Sequence, residues 1–274
     1  MRVNAAIVAY ENPYLMLEAA VESVLREKAL IHKLHFIDNS PSDRLRTHFE
    51  SKTEYIYNGR NLGFGAAHNL AIRNSIEENI EYHLLVNPDV YFDAGVIEEL
   101  VRYMDSHPDV GLVAPKIVYP NGSTQHLCKL MPAPFDLFGR RFLGWGPFKA
   151  YIDRRNHSFE LHHSGYDKEM DIPILSGSFM LLRTSVLEEV GIFDERYFLY
   201  LEDFDLCRRV GESARTVFYP EVFITHEYKK GSYFQRRLFW HHMASAIKYF
   251  TKWGWLFDEK RTRKNRQCLQ DLGL

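Results

Sequence analysis

The chain has 274 residues, 46% of them hydrophobic, with 34 Lys plus Arg against 36 Asp plus Glu. That composition supports a sizeable core and excludes global disorder, and a formal net charge of −2 excludes the basic excess of a dedicated nucleic-acid binder. Three dispersed cysteines (Cys128, Cys207 and Cys268) with no CxxC pair exclude a disulfide framework and a cysteine zinc site, and point to a reducing, cytoplasmic setting.

The opening residues Met1 to Val8 lack a basic region followed by a long apolar stretch, so they read as a strand and not as a signal peptide. No window reaches the ~18 apolar residues of a membrane-spanning helix. Val3 to Ala9 reads as a buried strand, and Pro13 opens a helix that runs to about Lys28. Further strands are expected at Leu34 to Ile37, Glu54 to Tyr57, His83 to Val86 and Val110 to Ala114. Helices are expected at Phe64 to Ile76 and Gly95 to Met104. Such alternation predicts a mostly parallel α/β sheet covered on both faces, with ligands beyond the carboxyl ends of its strands.

Lys129 to Lys168 breaks the pattern. It mixes prolines, glycines (Gly144 and Gly146 among them) and aromatics without a period, which predicts a long excursion over the active-site face. Pattern resumes at Ile172 to Arg183, followed by helices at Thr184 to Val190 and Glu202 to Val210 and a strand near Val217. Ser232 to Arg266 reads as a helical tail in which aromatics such as Phe234, Trp240 and Phe250 alternate with Lys and Arg. Two readings stand for it: an aromatic face packed on the domain, or an interfacial helix at an anionic membrane.

Polar clusters follow the strands. Ala9-Tyr10 and Asp38-Asn39-Ser40 close the first two, and Asp38 suits either a contact to a base or ribose or an Asx turn. Asn61, Gly63 and Gly65 lie in a loop entering a helix, where free N–H groups and the helix dipole favour phosphate; tight-turn packing is the alternative. It is neither a P-loop nor a dinucleotide fingerprint. Asn87-Pro88-Asp89 places a carboxylate at a rigid strand end, as Mg²⁺ coordination requires, or forms a turn. Ser176-Gly177-Ser178 would let a sugar approach the backbone, or serves strand packing. Glu202-Asp203-Phe204-Asp205 follows an apolar run that should bury it and raise the pKa of an acid, as a general base needs; charge balance at a helix N-terminus is the alternative. His226, after an apolar run, is a metal-ligand or structural histidine.

Taken in order, these segments resemble the family 2 glycosyltransferases with the GT-A fold, most closely their rhamnosyltransferase-like branch, from about Val3 to about Lys252. The resemblance implies an inverting transferase. Asp203, with Glu202 beside it, would be the base, and Ala9, Tyr10, Asp38, Asn61, Gly63, Asn87 and Gly177 would line the donor site. Asp89 and His226 would contact a divalent Mg²⁺ or Mn²⁺, with Asn87 standing where a full DxD motif has its first acid. It implies a nucleotide-sugar donor such as dTDP-rhamnose, a glycan or lipid-linked acceptor in bacterial surface polysaccharide synthesis, no nucleic-acid partner, and peripheral membrane contact through the tail. The domain would span 1–230, with a nucleotide-binding half (1–115) and an acceptor half (116–230), and the tail 231–274. A nucleotide-sugar nucleotidyltransferase would carry glycines after the first strand, where Ala9-Tyr10-Glu11-Asn12-Pro13 has none. An inactive binding protein would not need Asp89, Glu202, Asp203 and His226 together.

Overall fold

The computed structural model describes residues 2–139, 148–227 and 236–274. Its strands are β1 (Val3–Ala9), β2 (Ile31–Asp38), β3 (Glu54–Tyr57), β4 (Tyr82–Val86), β5 (Val90–Tyr91), β6 (Val110–Val118), β7 (Met170–Asp171), β8 (Phe179–Arg183) and β9 (Arg215–His226). Its α-helices, in chain order, are α1 (Tyr14–Leu25), α2 (Arg46–Phe49), α3 (Phe64–Glu77), α4 (Val96–Ser106), α5 (Lys149–Phe159), α6 (Thr184–Val190), α7 (Glu202–Ser213), α8 (Arg236–Trp253) and α9 (Glu259–Leu272).

Among the described residues the strands form one sheet in the order β3-β2-β1-β4-β8-β6-β9-β5, with β7 on β9. Parallel ladders (β1–β2, β1–β4, β2–β3 and β6–β9) carry most of the pairing. β8 runs antiparallel between β4 and β6. The central strands are continuous apolar runs because helices cover both faces: one core holds Ile7, Phe36 and Leu84, the other Leu85, Met180 and Leu206. β1 pairs in parallel with β2 on one side and β4 on the other, so the order in which strands are added to the sheet reverses there. The crevice at that reversal, beyond the strand C-termini, is where open α/β sheets bind ligands.

Two elements differ from the sequence expectation. The excursion at 129–168 is not without structure: it contains α5, a π turn at Phe135–Gly139 and a short 3₁₀ turn. The helix α5 buries only Ile152 and Phe159, too few apolar residues to produce a visible period. Gly144, Gly146 and Pro147 lie outside the described residues, as do Ser232 and Phe234. The tail is two helices. Gly254 breaks it, since its φ of +104° suits glycine and a Cβ there would stand 2.8 Å from the Phe257 carbonyl.

The tail packs on the domain. Tyr249, Phe250 and Ala246 of α8 bury against Tyr197 and Leu201. Asp205 accepts from Arg209, Lys252 and Trp253, tying α7 to α8. Arg208 and Asp258 form a buried bidentate pair at 2.7 and 2.8 Å. Asn265 of α9 bonds both the N–H and the carbonyl of Met131. The aromatic-face reading therefore holds for Tyr249 and Phe250, while Trp240, Leu256 and Phe257 stand exposed.

Candidate active site

A cavity of about 400 Å³ opens over the C-terminal ends of the central strands. Its lining brings together Asn87, Asp89, Gly177, Glu202, Asp203 and His226. Ala9, Tyr10, Asp38, Asn61 and Gly63 are not among its lining residues; they occupy the neighbouring ends of β1 and β2 and the loop into α3.

Asp89 and His226 meet because β5 and β9 pair. Val90 lies opposite His226, and the Glu227 N–H donates to the Asp89 carbonyl at 2.9 Å. The side chains converge, with His226 Nε2 3.3 Å from Asp89 Oδ1. On its other edge His226 Nδ1 lies 3.0 Å from Gln125 Oε1. Nothing in the sequence singles out Gln125, which is 101 residues away. Asn87 is fixed by its N–H to the Ser178 carbonyl, and its Oδ1 is buried without a partner among the described residues. No group of three or more His, Cys, Asp or Glu able to hold an ion occurs among the described residues. The available donor set is thus one carboxylate and one imidazole, which suits a hard divalent ion that draws its remaining ligands from phosphate and water.

Glu202 and Asp203 enter the cavity on the first turn of α7. The chain reverses into that turn through two consecutive left-handed residues, Tyr200 (φ 70°) and Leu201 (φ 66°). Non-glycine residues rarely hold this conformation, and the surroundings must impose it. The surroundings here are firm: the Phe198 carbonyl accepts the Phe64 N–H at 3.0 Å, and the Leu199 carbonyl accepts Ser245 Oγ at 2.8 Å. Asp203 accepts from the N–H groups of Gly177 (3.0 Å) and Phe204 (2.9 Å), which aim its carboxylate. A Cβ on Gly177 would stand 3.1 Å from Asp203 Cβ, so a small residue is needed for this approach. Burial raises the pKa of Asp203, opposed by the Gly177 N–H and the nearby Lys129 charge. Glu202 is 4% exposed and its Oε2 has no partner among the described residues. Burial, then the Asp203 charge, push Glu202 up to about 8. The rise expected from the apolar run is therefore present at both acids, for the expected reason.

At the β1–β2 end the polar residues bond one another. Asp38 is fully buried; Oδ1 closes an Asx turn with the Ser40 N–H at 2.9 Å and Oδ2 accepts the Tyr55 hydroxyl at 2.5 Å. In this geometry each carboxylate oxygen of Asp38 accepts one hydrogen bond from the chain, and the Asx turn fixes its orientation at the end of β2. Asn61 Oδ1 accepts the Gly63 N–H at 2.9 Å. Gly63 has φ +88°, and a Cβ there would sit 2.2 Å from the Phe198 carbonyl. Gly63 thus packs the loop before Glu202 against α3, which is the tight-turn reading. Ala9 is buried, and Tyr10 is 42% exposed at the end of β1.

Residues 5–191 match the family model described as Glycosyl transferase family 2. The chain belongs to glycosyl transferase family 2. A relative of the same kind is the N-acetylglucosaminyl-diphospho-decaprenol L-rhamnosyltransferase of Mycobacterium tuberculosis (strain CDC 1551 / Oshkosh), 32% identical over 61% of this chain and 56% of that protein. This family 2 chain spans little more than half the length of that relative. Two solved structures are similar: GalNAc-T7 with UDP, GalNAc and Mn²⁺ (TM-score 0.61, 14% identity, 83% of this chain and 43% of that one) and the mannosyltransferase PcManGT of Pyrobaculum calidifontis with GDP-Man and Mn²⁺ (TM-score 0.57, 16% identity, 90% and 64%). Their likeness establishes the GT-A fold for this family 2 chain.

Proposed function

We propose that this chain is an inverting glycosyltransferase that moves a sugar from a nucleotide-sugar donor to an acceptor hydroxyl. The observation that carries the reading is that one cavity is lined both by the Asp89–His226 pair and by Asp203, whose pKa is raised. Asp203, aimed by Gly177 and Phe204, takes the proton of the acceptor hydroxyl, whose oxygen attacks the anomeric carbon in a single inverting step. Glu202, kept protonated by burial at neutral pH, donates a hydrogen bond into the cavity and spares it a second negative charge. Asp89 and His226 would hold Mg²⁺ or Mn²⁺, with the Asn87 Oδ1 close by. Such an ion, when bound, stabilises the charge developing on the departing nucleoside diphosphate.

The relative's name supports L-rhamnose and a lipid-linked acceptor, and the proposal adds dTDP-rhamnose as the donor and bacterial surface polysaccharide synthesis as the setting. Among the described residues no helix is long and apolar enough to cross a membrane. Peripheral contact is supported by the turn between α8 and α9, where Trp255, Leu256 and Phe257 (93% exposed) precede the exposed Arg263, Lys264 and Arg266.

The test is release of nucleoside diphosphate from a panel of nucleotide sugars, with and without Mn²⁺, alongside thermal shift with each donor. Release and a raised melting temperature with dTDP-rhamnose and Mn²⁺ are expected. A binding protein would show the shift without release, and a chain that responds to no donor would overturn the reading.

A further inference from the structure

We propose that Gln125 is a positioning residue that fixes which ring nitrogen of His226 faces Asp89. The inference rests on the metal-site reading given under Proposed function, and adds a residue and a protonation state to it.

Gln125 follows β6, and its side chain is buried with that of His226. Its amide nitrogen donates to the carbonyl of His226 at 2.7 Å and to that of Val118 at 3.3 Å. Both partners can only accept, so the NH₂ must lie on that side and the carbonyl oxygen on the other. That oxygen, Oε1, stands 3.0 Å from His226 Nδ1. An amide oxygen can only accept, so Nδ1 must carry the proton. In the neutral imidazole the lone pair then belongs to Nε2, the nitrogen 3.3 Å from Asp89 Oδ1. The opposite tautomer would set two lone pairs face to face in a buried place. One side chain thus holds the backbone and the ring of His226 together, and leaves the ring's basic nitrogen to share a proton or a cation with the carboxylate. Ligating histidines are commonly oriented this way through their other nitrogen.

The chain has 13 histidines, so ¹⁵N spectra of histidine-labelled protein at about pH 8 are compared with those of His226→Asn to assign the His226 signals. In metal-free protein a proton is expected on His226 Nδ1. Gln125→Met removes all three hydrogen bonds at similar size; it should shift His226 toward the Nε2–H form and weaken Mn²⁺ binding, followed by electron paramagnetic resonance, by about 10–100-fold. Gln125→Glu keeps an acceptor facing Nδ1 but loses the donations to the His226 and Val118 carbonyls, so it should keep the proton on Nδ1 while Mn²⁺ affinity falls less than in Gln125→Met. An unprotonated Nδ1 in the unsubstituted protein would overturn the proposal even if no variant folds. A folded Gln125→Met with unchanged tautomer or Mn²⁺ affinity would overturn it too. If the unsubstituted protein binds no Mn²⁺, the metal reading fails while the spectra still decide what Gln125 does.

Discussion

Replacing Glu202 with glutamine tests the electrostatics of the cavity without changing its shape. Glu202 has an ordinary pKa of 4.5 and is pushed up to about 8 by burial and by the Asp203 charge. The folded chain therefore holds a proton that the unfolded chain has released at every pH between those values. Stability must fall as pH rises across that window and level off above about 8. Each tenfold change in proton concentration corresponds to about 1.4 kcal/mol, so the whole window amounts to roughly 4–5 kcal/mol. Buried histidines act with the opposite sign lower down. Burial lowers His68 to about 3 and His83 well below 6.5, so stability gained through them is complete by about pH 6.5. Above that pH the Glu202 contribution stands apart and should reach about 2 kcal/mol. Urea denaturation of the wild-type chain and of Glu202→Gln, run at intervals from about pH 6.5 to 9, measures it. The variant should gain on the wild type with rising pH by that amount and then run parallel. Curves parallel throughout would show that Glu202 is not held protonated, and the account of its role would fail.

Three further outcomes are expected. Asp203→Asn should lower transfer by about 10²–10⁴-fold while calorimetric donor affinity stays the same, and unchanged turnover would remove Asp203 as the base. Gly63→Ala adds a Cβ 2.2 Å from the Phe198 carbonyl at φ +88°, and should cost at least about 1–3 kcal/mol, read as a lower melting temperature. Asp258→Ala strips the buried Arg208 guanidinium of its bidentate partner and should cost about 3–5 kcal/mol in denaturant unfolding, whereas an effect below about 1 kcal/mol would mean that water reaches the site.

Much of the scaffold was legible because its signals are local. β1 and β3 fall where the apolar runs begin and end, and α6 matches its helical pattern residue for residue. β9 was the weakest reading: only Val217 marked a strand that runs from Arg215 to His226, because polar and aromatic residues interrupt it. The dense acidic run divided in a way composition does not show. Asp203 and Glu202 face the cavity, while Asp205, two residues on, is buried under α8 and bonds Arg209, Lys252 and Trp253. Asp38 reads as a ligand contact or an Asx turn; the turn is present, and the Tyr55 hydroxyl that also holds its carboxylate comes from the adjacent strand, which no local pattern shows. Gln125 was invisible, since its meaning depends entirely on a histidine on another strand.

The arrangement also explains why the acid pair and the Asp89–His226 pair sit on different kinds of support. Asp89 and His226 are held by a sheet ladder, in which backbone bonds fix both residues and leave little freedom to the pair. Asp203 sits instead on the first turn of α7, which is entered through a loop forced through two left-handed residues and pinned by α3 on one side and α8 on the other. Releasing either pin would let Tyr200 and Leu201 relax to ordinary backbone angles and turn the first helical turn of α7 away from the cavity. The tail helix α8 is therefore part of what keeps Asp203 aimed, because Ser245 and Lys248 bond the carbonyls of Leu199 and Arg196 directly. Loss of those bonds should reduce transfer more than it reduces donor binding, since the strand-held pair would stay where it is.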